Sequence, residues 1–289
     1  MNALALNAAA ADAANMQIRP VSAAIGAEVI GVDLSQPLSD ADFKRIEAAW
    51  YEGLILLFRG QQLDEAQQVA FCQRFGTLAG VLNKHTGGGK HPSVMYISNI
   101  RENGQLIGAL PDGEMYFHSD QCYVEQPAMA TMLYAMEIPK AGGDTLFANM
   151  YKAYDTLPAD LKTRLAGLTA ENVYDYDAAG TTRGSKIKEG VKHFAHPVFR
   201  THPGTGRKAL YANRLMTDHI VGMPLEESND ILNFLFDHAE KSEFVYTHQW
   251  TVGDLILWDN RCSLHARSDF DASERRKLRR ITVLGEKPY

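Results

Sequence analysis

Cysteine is scarce in this sequence. Its 289 residues hold three, Cys72, Cys122 and Cys262, with no Cys-x-x-Cys pair. Neither a disulfide framework nor a cysteine-rich zinc module is suggested, which fits a reducing compartment. Long apolar runs are missing as well: none approaches the ~20 residues needed to span a bilayer. The Ala-rich first sixteen residues contain no Lys or Arg and so lack the charged start of a signal peptide. Residues 1–16 read as a poorly ordered tail, and the protein as soluble and cytoplasmic. Positive charge is not in excess either, since 29 Lys and Arg stand against 35 Asp and Glu, a net of −6. That balance argues against a general nucleic-acid or anionic-membrane binder.

What is present is enough apolar material, 45% of residues, to bury a sizeable core, and residues 17–289 read as a single domain. Glycine-separated runs between Ile18 and Leu34 predict strands with a tight turn. Ser39 predicts an N-cap for a helix with Phe43, Ile46 and Trp50 on one face. Leu54–Phe58 reads as a buried strand. Asp64 and Gln67 form a capping-box pattern, opening a helix that buries Val69, Phe71 and Phe75 and stops at Gly76. The loop Thr86–Lys90 is glycine-rich but lacks the Gly-Lys-Ser/Thr ending of a phosphate cradle. Further strands are expected at Val94–Asn99, Ala128–Ile138, Asp144–Phe147, His196–Arg200, Leu210–Asn213, Asp254–Trp258 and Arg280–Leu284, with a turn at Leu110–Gly113. Helices are expected over Tyr151–Leu168 and Pro224–Lys241. Residues 174–192 are aperiodic and polar, the pattern of a lid. The fold expected is mainly β with helical insertions (α+β), a distorted jelly roll.

The chemistry centres on His118-Ser119-Asp120. In an extended segment residues i and i+2 share a face, so His118 and Asp120 can grip one ion together. His265 offers a third ligand. Two His and one carboxylate form the facial set of non-haem Fe(II) oxygenases, which leaves positions open for cosubstrate and oxygen. Taken alone, a His-x-Asp pair reads first as a surface or hydrogen-bonded structural pair, and His265 as one more of the chain's ten histidines.

The chain resembles the Fe(II)/2-oxoglutarate dioxygenases related to taurine dioxygenase and 2,4-dichlorophenoxyacetate dioxygenase. The resemblance runs in order through Ile25-Gly26-Ala27-Glu28, Gly31-Val32-Asp33-Leu34, Arg74-Phe75-Gly76, His118-Ser119-Asp120 and Gly142-Gly143-Asp144-Thr145. It continues through His202-Pro203, Gly206-Arg207, Ala209-Leu210-Tyr211, Trp258-Asp259-Asn260-Arg261 to His265, Arg275-Arg276 and Gly285-Glu286-Lys287-Pro288. It implies a double-stranded β-helix core, Fe(II) on His118, Asp120 and His265, and the distal carboxylate of 2-oxoglutarate on Arg276 and Thr145. Consumption of O2 and 2-oxoglutarate would release succinate and CO2 while a C–H bond is hydroxylated. It also implies a homo-oligomer, dimer or tetramer, and an Arg280 that meets the anionic group of the substrate.

On one strand Arg276 and Arg280 would share a face about 13 Å apart, while Arg275 and Arg279 would be the solvated members of the run. Tyr116, Cys122 and Tyr123 flank the metal pair and either line a pocket or pack in the core. Glu114 either meets a cationic or hydroxyl group of the substrate or lies on the surface. Cys262 reads as a buried apolar residue. Arg183 and Lys186, in the lid, either assist anion capture or are solvated.

Two departures matter. Taurine-using relatives place a His after Arg-Phe-Gly and an Asn four residues before the first metal His. Here these places hold the apolar run Leu78–Leu82 and Glu114, which disfavours taurine. The substrate expected is a small organic carboxylate or sulfonate, aryloxyalkanoate-like. The alternatives are a biosynthetic hydroxylase of an amino-acid-like carboxylate and a non-catalytic metal-binding jelly roll.

Overall fold

The computed structural model describes residues 15–81, 89–109, 114–177, 180–184 and 186–289. The Leu110–Gly113 turn, residues 86–88 of the glycine-rich loop and nearly all of the expected tail lie outside them. Met16, placed in the tail by composition, is instead buried in the core beside Val29 and Leu34.

The strands of the two principal sheets are, in chain order, β1 (Gln17–Pro20), β2 (Ala27–Ile30), β3 (Ile55–Phe58), β4 (Val94–Ser98), β5 (Met115–His118) and β6 (Ala128–Glu137). They continue with β7 (Thr145–Asn149), β8 (Val245–His248), β9 (Leu255–Asp259), β10 (Ser263–Arg267) and β11 (Lys277–Leu284). The larger sheet runs β1-β2-β3-β9-β6-β11-β4 and the smaller β8-β7-β10-β5. Within them only β2 and β3 pair parallel.

Why the central strands read as unbroken apolar runs is plain from their two faces. Ile55 and Leu57 of β3, Leu133 and Ala135 of β6, and Ile256 and Trp258 of β9 turn inward, into a core shared with Phe147 and Leu264 of the smaller sheet. The alternate residues, Leu56, Phe58, Met132, Tyr134, Leu255 and Leu257, pack against two helices on the outside. A strand covered on both faces has no polar side to show.

Those helices are α1 (Asp40–Gly53) and α2 (Glu65–Gln73). Ser39 caps α1 through the Asp42 amide, and α1 lays Phe43, Ile46 and Trp50 on the sheet. Asp64 and Gln67 form the reciprocal capping box of α2, which ends at Gln73, short of Gly76. This outer layer corrects one expectation. Arg279 is buried, because its side of β11 faces α2 and not water; its guanidinium donates to Gln68 Oε1 at 2.6 Å and to the carbonyls of Leu63 and Asp64, each at 2.8 Å. Arg275 is exposed and pairs with Glu137.

Three further helices, α3 (Met150–Asp155), α4 (Ala159–Leu165) and α5 (Leu225–Ala239), lie in the second half of the chain. A small sheet joins His193–Pro197, Thr169–Val173 and Thr217–Ile220. The expected strand at Leu210–Asn213 stops at Leu210, since the Asn213 amide turns to the Thr217 hydroxyl at 2.9 Å. The aperiodic stretch after Tyr174 contains a short hairpin, Tyr176–Asp177 with Gly180–Thr181.

Candidate functional site

Strand pairing brings the two imidazoles together. His118, the last residue of β5, is the direct partner of His265 on β10, and antiparallel partners share a face. Their ring centroids are 4.1 Å apart, with the Trp258 indole 4.6 Å from the His265 ring. Asp120 arrives by another route. Alternation along a strand does not place it, because β5 ends at His118 and the chain turns at Gln121, which has φ 59°.

What holds Asp120 is a set of buried hydrogen bonds. Its amide donates to Asn260 Oδ1 at 3.2 Å, and its Oδ2 accepts from the Thr131 hydroxyl at 2.6 Å. Asn260 is itself fixed: Trp258 Nε1 donates to its Oδ1 at 3.0 Å and its Nδ2 donates to Thr131 Oγ1 at 3.1 Å. The Ser119 hydroxyl donates to the Asn260 carbonyl at 2.9 Å. Asp120 Oδ1 is thereby left facing His265 Nε2 at 3.9 Å.

One ligand atom from each of His118, Asp120 and His265 lies within 4.8 Å of the others, all three residues buried. Burial, opposed by the Asp120 charge, pulls the His118 pKa down. Burial and the neighbouring His118 pull His265 well down. Burial would raise the Asp120 carboxyl, but Arg280, with the two imidazoles and Thr131, outweighs it and holds Asp120 well below the usual carboxylate range. Two neutral imidazoles and an ionised carboxylate are the protonation states a divalent cation needs. His118 Nδ1 lies 2.9 Å from the Tyr116 carbonyl, a bond that turns Nε2 inward as a lone-pair donor. The donor set therefore fits a metal.

A second buried group, His202, Asp259 and Cys262, has ligand atoms equally close, but its bonds are committed elsewhere. Arg261 grips Asp259 through Nε at 2.8 Å and Nη2 at 2.7 Å. His202 Nε2 donates to the same carboxylate at 3.0 Å, while its Nδ1 accepts from the amides of Gly204 and Thr205, each at 3.1 Å. Burial raises the Cys262 thiol well above its ordinary value, away from the thiolate a metal would need. These residues form a structural clamp, stacked by Arg261 against Trp50, and Cys262 is the buried residue expected.

Further along the smaller sheet, Thr145 is the direct partner of Arg267, as Phe147 is of His265. Trp250 Nε1 donates to the Thr145 hydroxyl at 3.0 Å, so the hydroxyl proton stays available for an acceptor. Arg276 is buried, with Nη2 donating to the Gly143 carbonyl at 3.1 Å. Among the described residues its Nε and Nη1 are buried without a partner. Gly143, at φ 67°, permits this approach, since a Cβ there would stand 3.1 Å from Arg276 Nε. Burial and the charge of Arg267 bring the Arg276 pKa down to about 9.

A cavity of about 360 Å³ opens beside the triad. His118, Asp120, Arg280 and Tyr123 line it, with Tyr174 and Tyr176 from the aperiodic stretch and Met95, Met115 and Met216. Arg280 Nη2 lies 2.7 Å from Asp120 Oδ1. Burial raises the phenols of Tyr123 and Tyr176, the latter to about 12.

Glu114 is exposed and outside the lining. Tyr116 and Cys122 are also outside it, packed with Tyr211, Leu215 and Met216. Arg183 is held on α5, donating to Asn233 Oδ1 at 2.8 Å over the Phe236 ring, and Lys186 is exposed. Sequence reasoning missed Thr131, Asn260 and the two tyrosines of the aperiodic stretch, Tyr174 and Tyr176. Asn260 lay inside a quoted motif; Thr131 looked like any strand threonine.

Residues 17–282 match the family described as "Taurine catabolism dioxygenase TauD, TfdA family". The chain is 36% identical over 282 residues to the alpha-ketoglutarate-dependent 2,4-dichlorophenoxyacetate dioxygenase of Cupriavidus pinatubonensis, covering 92% of this chain and 97% of the relative. It is 33% identical to the pentalenolactone F synthase of Streptomyces avermitilis, covering 92% of each. The structure of AAD-2 in complex with Mn(II) and N-oxalylglycine superposes with a TM-score of 0.79 at 30% identity, covering 95% of this chain and 99% of that one.

Proposed function

We propose, since the chain belongs to the TauD, TfdA family of dioxygenases, that it hydroxylates a small organic carboxylate with an aromatic or apolar body, using Fe(II), 2-oxoglutarate and O2. The observation that carries the substrate class is the cavity itself. Among the described residues one cation, Arg280, lines it beside the triad, and the rest of the wall sets three tyrosines and three methionines among small and polar residues such as Ala79, Val81, Ser93 and Thr282. Tyrosine faces and thioethers accept an aryl ring, and a guanidinium takes a carboxylate through two parallel donors. The two sheets, sharing one core, are read as the walls of a jelly roll of the double-stranded β-helix kind.

His118, Asp120 and His265 would hold the metal, and Arg276 with Thr145 the far carboxylate of the cosubstrate. When bound, Fe(II) with 2-oxoglutarate and O2 supplies an oxidising power that no side chain has: decarboxylation to succinate and CO2 coupled to oxygen insertion into a C–H bond. The protein's own residues position and exclude. Thr131 and Asn260 keep Asp120 Oδ1 turned to the centre. Trp258 fixes the His265 ring by contact. Arg276 offers Nε and Nη1, and Thr145 offers its hydroxyl proton. Arg280 holds the substrate anion near the triad, and the protonated phenols of Tyr123 and Tyr176 add no negative charge to repel it.

The test is O2-dependent succinate formation with Fe(II), 2-oxoglutarate and a panel of aryloxyalkanoates, alkylsulfonates, sulfate esters and N-substituted amino acids, with His118→Ala as the blank. Aryl carboxylates should raise succinate in step with their own oxidation. Arg280→Ala should raise the KM of the responding substrate about tenfold to a hundredfold, the cost of one charge-assisted contact, while the 2-oxoglutarate KM changes little. Succinate no higher than the blank with every class would remove the enzymatic reading. An unchanged substrate KM in Arg280→Ala would remove the anion role alone.

A further inference from the structure

We propose that Thr282 is a further substrate-binding residue of the cavity, a hydroxyl donor that shares with Arg280 the anionic head of the substrate. This rests on the reading above that Arg280 takes that anion.

The placement follows from register. Arg280 and Thr282 stand two residues apart on β11, so their side chains leave the same face, and both line the cavity. Across the ladder Arg280 is the direct partner of Leu133 and Thr282 of Thr131, both on β6. Leu133 turns inward, so this is the inner face of both strands. The Arg280 side chain does not stay in its own row. Its Nη2 lies 2.7 Å from Asp120 Oδ1, and the other oxygen of that carboxylate accepts from the Thr131 hydroxyl at 2.6 Å. The end of the guanidinium is thereby carried one pleat along β11, toward the row of Thr131 and Thr282. Directly opposed residues stand about 5 Å apart at Cβ, which sets Thr282 beside that end.

The two threonines of the row differ in what their hydroxyls are free to do. That of Thr131 is committed, donating to Asp120 and accepting from Asn260 Nδ2 at 3.1 Å. Thr282 spends its carbonyl on the Ala79 amide at 2.9 Å. Among the described residues no hydrogen bond takes up its hydroxyl, which is left to the cavity. Arg280 has five N–H donors, of which the contact with Asp120 draws on Nη2. A carboxylate gripped by two of the others keeps lone pairs for a third donor. A hydroxyl giving its proton to a charged oxygen contributes more than one giving it to a neutral oxygen. Guanidinium and hydroxyl together would fix the head of the substrate in position and in rotation, and so fix which carbon lies nearest the triad.

The test uses the Fe(II)- and 2-oxoglutarate-loaded protein without oxygen, titrated calorimetrically with phenoxyacetate. Thr282→Val keeps the shape of the side chain and removes the donor. It should weaken phenoxyacetate about tenfold, with Thr282→Ser recovering most of the loss. The affinities for Co(II) and for 2-oxoglutarate should not move, since Thr131 keeps both its partners. Unweakened phenoxyacetate in Thr282→Val would mean that the hydroxyl does not meet the anion. Weakening of Co(II) or 2-oxoglutarate alongside phenoxyacetate would mean that Thr282 merely supports the structure; each overturns the proposal. Should the Val variant fail to fold, Thr282→Ser against Thr282→Ala reads the same contrast. Arg280→Met separates the two readings. If it weakens phenoxyacetate while Thr282→Val does not, only Thr282 is wrongly assigned; if neither does, the anion is held elsewhere. A wild type that does not bind phenoxyacetate removes the aryl carboxylate reading and this one with it.

Discussion

A carboxylate that must keep one oxygen for a cation needs its other oxygen occupied. At Asp120 the Thr131 hydroxyl meets that need, donating to Oδ2 at 2.6 Å, and Asn260 fixes Thr131 in turn. Such supporting partners are typically worth tenfold to a hundredfold in metal affinity. Thr131→Val keeps the shape of the side chain and removes the donor. It should weaken divalent-metal binding by about tenfold to a hundredfold, read by titration with Co(II) or by competition with a chelating dye. Wild-type affinity in that variant would show that the hydroxyl has no part in aiming Asp120. None of this was readable beforehand, because a threonine in a strand is unremarkable until its partner across the fold is known.

The small sheet of His193–Pro197, Thr169–Val173 and Thr217–Ile220 supports the turn that carries Asp120. His196 lies opposite Ala170, and its Nε2 donates to the Val124 carbonyl at 2.9 Å. Burial, with Arg200 and Lys287 nearby, lowers the His196 pKa from 6.5 to about 4. The sign follows from proton counting. Between pH 6.5 and 4 the unfolded chain takes up a proton that the folded one refuses, so stability falls as pH falls through that window and levels off below it. The contribution is on the order of 3 kcal/mol across the window. His196→Gln, which can still donate to Val124, should flatten this arm of the curve when urea unfolding is followed from pH 7 to pH 4.5. Parallel curves for variant and wild type would mean that His196 does not titrate as its burial implies.

Across the whole molecule, three candidate ligands from β5, the turn after it and β10 are brought together by folding. A metal bound to the native triad and not to the unfolded chain stabilises the fold, by about 2.7 kcal/mol at a hundred times its Kd. Mn(II) should raise the thermal midpoint, EDTA should reverse the rise, and His118→Ala should show neither effect. An equal rise in His118→Ala would place the ion elsewhere. Because Arg280 Nη2 lies 2.7 Å from Asp120 Oδ1, a metal held by the triad would share that carboxylate with the guanidinium. Substrate anion and metal affinities are expected to be linked through it. Among the described residues no helix is long and apolar enough to cross a membrane.

The sequence by itself determined the strands and helices whose signals are local. The apolar run Ile55–Phe58, the capping box at Asp64 and the N-cap at Ser39 need only their neighbours. It also offered His118, Asp120 and His265 as candidate ligands from residue type and spacing, and Thr145, Arg276 and Arg280 as candidates through the family resemblance. Tertiary structure alone decided what lies behind or across from each. Arg279 is buried because α2 covers its face of β11, and Glu114 is exposed because it precedes the strand that carries His118. Asp120 is aimed by Asn260, 140 positions away, and Arg267 faces Thr145 only once β7 and β10 have paired. Spacing along a chain encodes which groups can share a face of one element. Which element lies opposite is set by the register and packing of strands distant in sequence.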